Sequence, residues 1–99
     1  MHAIVNRLRI GTPVPAEVWE RAQVEVPEQA RKVPGFRSLH VIEISPEEVI
    51  LVVIGDSPET LDRLATEVGN TWMRDNIGPH LAAPPDRRLG RVVASSDSM

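Results

Sequence analysis

Three polar side chains could do chemistry in a chain that offers few such groups: Asn6, His40 and His80. An amide and two imidazoles can orient a bound molecule and stabilise an enolate-like oxyanion, provided folding brings them to one pocket. Asn6 lies between Ile4 and Leu8 at alternate positions, so it shares their face of a strand; its second reading is a strand Asn that bonds neighbouring backbone. His40 sits in another alternating run and reads first as a structural or interfacial residue, second as a ligand contact. His80 follows Gly78-Pro79, which fits a solvated loop residue as well as a pocket residue. Arg87-Arg88 reads as a surface pair with the capacity to meet an anionic substrate, and Glu47-Glu48 as solvated charge in a turn. Cysteine is absent, which removes thiolate nucleophiles, disulfides, iron–sulfur clusters and thiolate zinc sites together. The sequence also lacks a Gly-rich phosphate loop, a His-Glu-x-x-His helix and a Ser-nucleophile elbow.

The elements that must position these groups follow from hydrophobic period. Residues 2–10 alternate, with His2, Ile4, Asn6, Leu8 and Ile10 on one face and Ala3, Val5, Arg7 and Arg9 on the other. Gly11-Thr12-Pro13-Val14-Pro15 breaks the strand. From Pro15 the period becomes helical: Val18, Ala22, Val26, Ala30 and Val33 form one stripe, with Pro27 expected to kink or split it. A second strand, residues 36–44, places Phe36, Ser38, His40, Ile42 and Ile44 on one face and Arg37, Leu39, Val41 and Glu43 on the other. Ser45-Pro46-Glu47-Glu48 is a hairpin connection. Residues 49–54 are apolar on both faces, and a strand of that kind belongs at the centre of a sheet. Ser57-Pro58-Glu59 opens a second helix with an N-cap, a first-turn proline and an acid at the positive helix end. Its stripe runs through Leu61, Leu64, Ala65 and Val68 to Gly69-Asn70. A further helical stretch carries Thr71, Trp72, Met73, Asn76 and Ile77. Residues 81–86 read as loop and 89–94 as a closing strand.

The order β-α-β-β-α-β predicts an α+β, ferredoxin-like domain: a four-stranded antiparallel sheet with two helices on one face. The other face, with Val5, Leu39, Val41 and one side of the doubly apolar strand, lacks cover. An uncovered apolar face marks an interface, here between two copies related by a two-fold axis. The chain has 99 residues, enough for one domain, assigned to residues 1–95, with 96–99 as a frayed tail. Net charge is −3 and the aromatics are only Trp19, Phe36 and Trp72, so neither a phosphate footprint nor a base-stacking platform is expected. With no signal-like or membrane-length apolar stretch, the expected setting is soluble and cytoplasmic.

The element order and two junctions, Val33-Pro34-Gly35-Phe36 and Gly55-Asp56-Ser57-Pro58-Glu59, resemble the dimeric α/β-barrel superfamily. Within it the chain is similar to the antibiotic-biosynthesis-monooxygenase-like (ABM) domains, over nearly its whole length. The resemblance implies a homodimer joined through the sheet face and no partnership with nucleic acid or membrane. It also implies an apolar pocket between sheet and helices, lined by Ile4, Leu8, Ile42, Leu61, Leu64, Val68, Trp72 and Met73, with Asn6, His40 and His80 as its polar groups. The implied activity is a cofactor-independent monooxygenase of a small hydrophobic, polycyclic or quinone-like substrate, with Asn6, Trp72 and His80 as catalytic candidates and no metal. Haem-degrading relatives use an Asn on the first strand, a Trp on the second helix and a His after it. The same three positions would serve haem, with His80 as iron ligand only if haem binds. A third implication is a non-catalytic metabolite-binding or assembly module.

Overall fold

The structure, a computed structural model, describes residues 1–96. Strand β1 (His2–Arg9) leads to helix α1 (Ala16–Ala30), strands β2 (Phe36–Ser45) and β3 (Glu48–Gly55), and then a long helix, α2. Helix α2 runs without a break through Pro58–Leu64, Ala65–Met73 and Arg74–Asn76; a single turn, Gly78–His80, and strand β4 (Asp86–Arg91) follow. The four strands form one antiparallel sheet in the order β2-β3-β1-β4. This is the α+β, ferredoxin-like arrangement, and the doubly apolar strand β3 is interior to the sheet.

Sequence explains the junctions. Ser57 caps α2 by accepting a bond from the Thr60 N–H at 3.2 Å, with Pro58 in the first turn. Gly35 turns the chain into β2 at φ +88°, a conformation that L side chains rarely adopt. A Cβ at Gly35 would stand 2.6 Å from the Thr60 hydroxyl, and one at Gly55 would stand 3.0 Å from the Thr60 methyl. The junctions that precede β2 and α2 therefore meet at one side chain, and both glycines make room for it. Thr60 also bonds the Pro34 carbonyl at 3.3 Å, tying the start of α2 to the turn before β2.

The core lies between one sheet face and the two helices. Ile4, Leu8, Val49, Leu51 and Val53 supply the sheet side; Val18, Ala22, Val26 and Ala30 of α1 and Leu61, Leu64, Val68 and Trp72 of α2 supply the helix side. Leu61 is fully buried, and Val26, Val49 and Ile77 are each 1% exposed. No helix among the described residues is long and apolar enough to cross a membrane.

Four expectations need correction. The faces of β2 are reversed beyond its first residues: Leu39 and Val41 pair with Val53 and Leu51 on the helix side, while His40 and Ile42 pair with Val52 and Ile50 on the open side. The cause is a bulge between Phe36 and Ser38, where one extra residue shifts every later side chain to the opposite face. Pro27 does not split α1, because it lies in the last turn and deletes only one backbone bond there. Gly69-Asn70 does not divide α2, which passes through both. Strand β4 begins at Asp86 and ends at Arg91, earlier than the 89–94 run at each end. The tail assigned to 96–99 lies, from Asp97 on, outside the described residues.

Candidate functional site

Between the sheet and α2 lies a cavity of about 450 Å³. Its floor is made by β1 and β3, with Ile4, Asn6 and Leu8 from the first and Leu51 and Val53 from the second. Leu39 of β2 closes one side. The roof is α2, through Leu61, Leu64, Val68 and Met73, and beyond it Ile77 and Leu81. The segment that carries Leu81 is stitched to the end of β1. The Gly11 N–H bonds the His80 carbonyl at 2.7 Å, and the Ala82 N–H bonds the Arg9 carbonyl at 2.8 Å. The end wall is thus anchored although it is a connection, not a regular element.

The roof owes its shape to the middle of α2. Over Ala65–Met73 the helix has wide turns, and the Arg74 N–H reaches the Gly69 carbonyl five residues back. Wide turns of this kind are rare and concentrate at functional sites. Two threonines accompany them: the Thr66 hydroxyl donates to the Asp62 carbonyl at 3.1 Å, and the Thr71 hydroxyl to the Glu67 carbonyl at 2.7 Å. Such side-chain bonds compete with the backbone ladder and bend helices. Gly69 lines the cavity with no atom within 4 Å of where its Cβ would be.

Asn6 is the polar side chain of the floor. Its Oδ1 is buried without a hydrogen-bond partner, in walls that are otherwise mostly hydrocarbon. A buried, unmet amide oxygen costs about 1–3 kcal/mol, a penalty that a ligand hydroxyl or a water molecule removes. Asn70 and two arginines, Arg74 and Arg87, complete the polar lining, and no Asp, Glu or His is among the wall residues.

Of the residues named from sequence, Asn6, Ile4, Leu8, Leu61, Leu64, Val68 and Met73 come together on this cavity. The others do not. His40 and Ile42 point to the opposite face of the sheet, because the bulge at the start of β2 turns them there. Trp72 is buried between α1 and α2: its indole N–H donates to Glu25 at 3.3 Å, and the Arg21 guanidinium lies 5.9 Å from its ring centre. His80 is bound through Nδ1 to the Thr12 hydroxyl at 3.2 Å and is not a wall residue. This placement does not fit haem, since the wall brings neither the imidazole nor the indole to a porphyrin. Among the described residues, no three His, Cys, Asp or Glu side chains converge as metal ligands.

Sequence reasoning missed Leu39 and Arg87 as wall residues. For Leu39 a signal existed: Phe36, Leu39 and Val41 share a face only if the strand slips once, which is the spacing of a bulge. Arg87 owes its place to its register opposite Asn6, and nothing local in Asp86-Arg87-Arg88 reveals that register.

No family model matches the chain, and no curated protein matches it in sequence. Solved structures do match in fold, and antibiotic biosynthesis monooxygenase (ABM) structures are among them. A protein of Nitrosomonas europaea assigned as an antibiotic biosynthesis monooxygenase superposes with a TM-score of 0.76 at 14% identity, covering 95% of this chain and 100% of that one. SnoaB, a cofactor-independent oxygenase of Streptomyces nogalater, gives 0.73 at 10% identity, covering 96% and 95%. The ActVA-Orf6 monooxygenase of Streptomyces coelicolor, solved with nanaomycin D, gives 0.69 at 19% identity, covering 95% and 92%. The chain therefore has the ABM ferredoxin-like fold along its whole length. These structural neighbours include named monooxygenases.

Proposed function

We propose that this protein is a cofactor-independent monooxygenase of a small hydrophobic, polycyclic or quinone-like substrate held between the sheet and α2. The observation that carries the reading is the unpaired Asn6 amide oxygen on the floor of a mostly apolar cavity whose other polar lining residues are Asn70, Arg74 and Arg87. A mostly apolar cleft with a few polar groups is the usual form of a small-molecule site. SnoaB, a neighbour of the same fold described as a cofactor-independent oxygenase, supports the chemistry.

In such a reaction the substrate supplies its own electrons. An anthrone-like ring loses a proton to give an enolate; the enolate carbon is oxidised by O₂ to a carbonyl, and the second oxygen leaves as water with the two ring hydrogens. The wall residues include no carboxylate or imidazole to act as base, so the task of this chain is to exclude water and stabilise the oxyanion. Within the Asn6 amide the Nδ2 N–H is the donor suited to that task, while the unpaired Oδ1 accepts from a substrate hydroxyl. The direct test is oxygen uptake with dithranol (1,8-dihydroxyanthrone). Turnover is expected, and Asn6→Ala is expected to lower kcat by about 10²–10³, the usual loss for one oxyanion donor, with the melting temperature held or raised. Saturable binding without oxygen uptake would instead favour a metabolite-binding module.

We also propose that two copies pair through the open sheet face. Val5 is 42% and Ile42 is 44% exposed there, beside the half-buried Ile50, Val52 and Ile54. A second sheet laid on this face would bury them and leave the cavity side free.

A further inference from the structure

Gly69 stands in the middle of α2, where glycine weakens a helix relative to alanine. Two ordinary reasons for it are missing. Its φ is not positive, for among the described residues only Gly35 has that conformation. Nor does a neighbouring element press on it: beyond its chain neighbours and the local helix backbone, no heavy atom lies within 4 Å of where its Cβ would stand. Gly35 and Gly55, by contrast, each make room for Thr60. What Gly69 borders is the cavity, in the roof between Val68 and Asn70 and within the wide turns. We infer that Gly69 is the specificity-determining position of the roof: its missing side chain leaves the width that admits three fused rings, and a larger residue restricts the site to smaller ring systems. This rests on the cavity being the substrate site proposed above.

The walls around this gap are held, so volume added at residue 69 is taken from the cavity. On the floor, Ile4 and Leu8 of β1 and Leu51 and Val53 of β3 are buried, and each of these strands is paired on both sides. A strand bonded along both edges resists displacement, and a close-packed interior transmits added volume instead of absorbing it. The roof is held as well. Thr60 ties the start of α2 to the Pro34 carbonyl at 3.3 Å. Trp72, just beyond Gly69, is buried against α1 with its N–H on Glu25. A flat ring system between two fixed walls tolerates little thickening of either. One methylene more or less in an apolar pocket changes binding by about tenfold or more, so a branched side chain in the gap excludes the outermost ring.

Equilibrium dialysis of the full chain against 1,8-dihydroxyanthraquinone, with three rings, and 1-naphthol, with two, tests this; each probe carries a hydroxyl for Asn6. The wild type is expected to bind both, the three-ring probe more tightly. Gly69→Leu should lower the ratio of three-ring to two-ring affinity by about tenfold or more, and Gly69→Ala by roughly twofold or more. The melting temperature of Gly69→Ala should be held or raised. An unchanged ratio in Gly69→Leu, or an equal loss for both probes, overturns the inference and spares the substrate site. If Gly69→Leu does not fold, Gly69→Ala decides alone, and an unchanged ratio there overturns the inference. A wild type that binds 1-naphthol but not the three-ring probe overturns it as well. If neither probe binds the wild type, the substrate site and this inference fall together.

Discussion

Asn6 and Trp72 illustrate how differently two residues with sequence signatures can end up. The alternation Ile4-x-Asn6-x-Leu8 is local, and a strand converts it directly into a shared face, so the wall position of Asn6 is legible in the sequence itself. That of Trp72 is not, because its direction depends on how many residues each turn of α2 contains. The wide turns aim it at α1, where Glu25 accepts its N–H and Arg21 covers its ring. Its contribution is to packing. Trp72→Ala should cost about 3–5 kcal/mol of stability, whereas Trp72→Phe should lower the melting temperature modestly and leave kcat with dithranol within a few-fold of wild type. Denaturation curves and oxygen-uptake rates on the same two variants separate a packing role from a catalytic one. A large fall in kcat for a stably folded Trp72→Phe would return the indole to the reaction.

At the scale of elements, the turn before β2 and the start of α2 behave as one joint. Gly35, Gly55 and Thr60 crowd each other, and Ser57, Thr60 and Pro34 share hydrogen bonds. Gly35→Ala should cost about 1–3 kcal/mol, from the left-handed backbone and the hydroxyl clash together. For a domain of this size that lowers the melting temperature by roughly 5 °C or more. Gly69→Ala should do the reverse, because its Cβ would meet open space and its backbone needs no positive φ. A gain of about 0.4–1 kcal/mol is expected from the stiffer unfolded chain, readable by chemical denaturation. The element order, the central β3 and the Ser57 cap can all be read from sequence, since each rests on neighbours within a few positions. The bulge in β2 and the continuity of α2 cannot: one is decided by pairing with β3, the other by the burial of Val68 and Trp72 on either side of Gly69-Asn70.

For the whole molecule, the sheet has one face sealed by helices and one face left with valines and isoleucines. The outward residues are not uniformly apolar, for Arg7 and Glu48 form an ion pair there and His40 is exposed. A two-fold arrangement sets each such residue against the same surface of a second copy. Val52→Lys, at the centre of β3, should therefore disrupt pairing while leaving the helix-side core intact. Light scattering behind a sizing column at micromolar concentration should give a dimer for the wild type and a monomer for the variant, with unchanged far-ultraviolet circular dichroism. A wild-type monomer would contradict the pairing.

The wide turns of α2 have one more consequence, which concerns phase. Each residue added to or removed from a helix rotates everything downstream by about 100°. Met73 and Ile77 line the cavity at and beyond the end of the wide turns of Ala65–Met73. A single-residue insertion at Asn70, beyond what the wide turns already absorb, would swing both off the roof and carry Trp72 away from Glu25. The roof is thus tuned by chain length as well as by composition. A length change of one residue in this segment would reshape the cavity more than most substitutions along its walls.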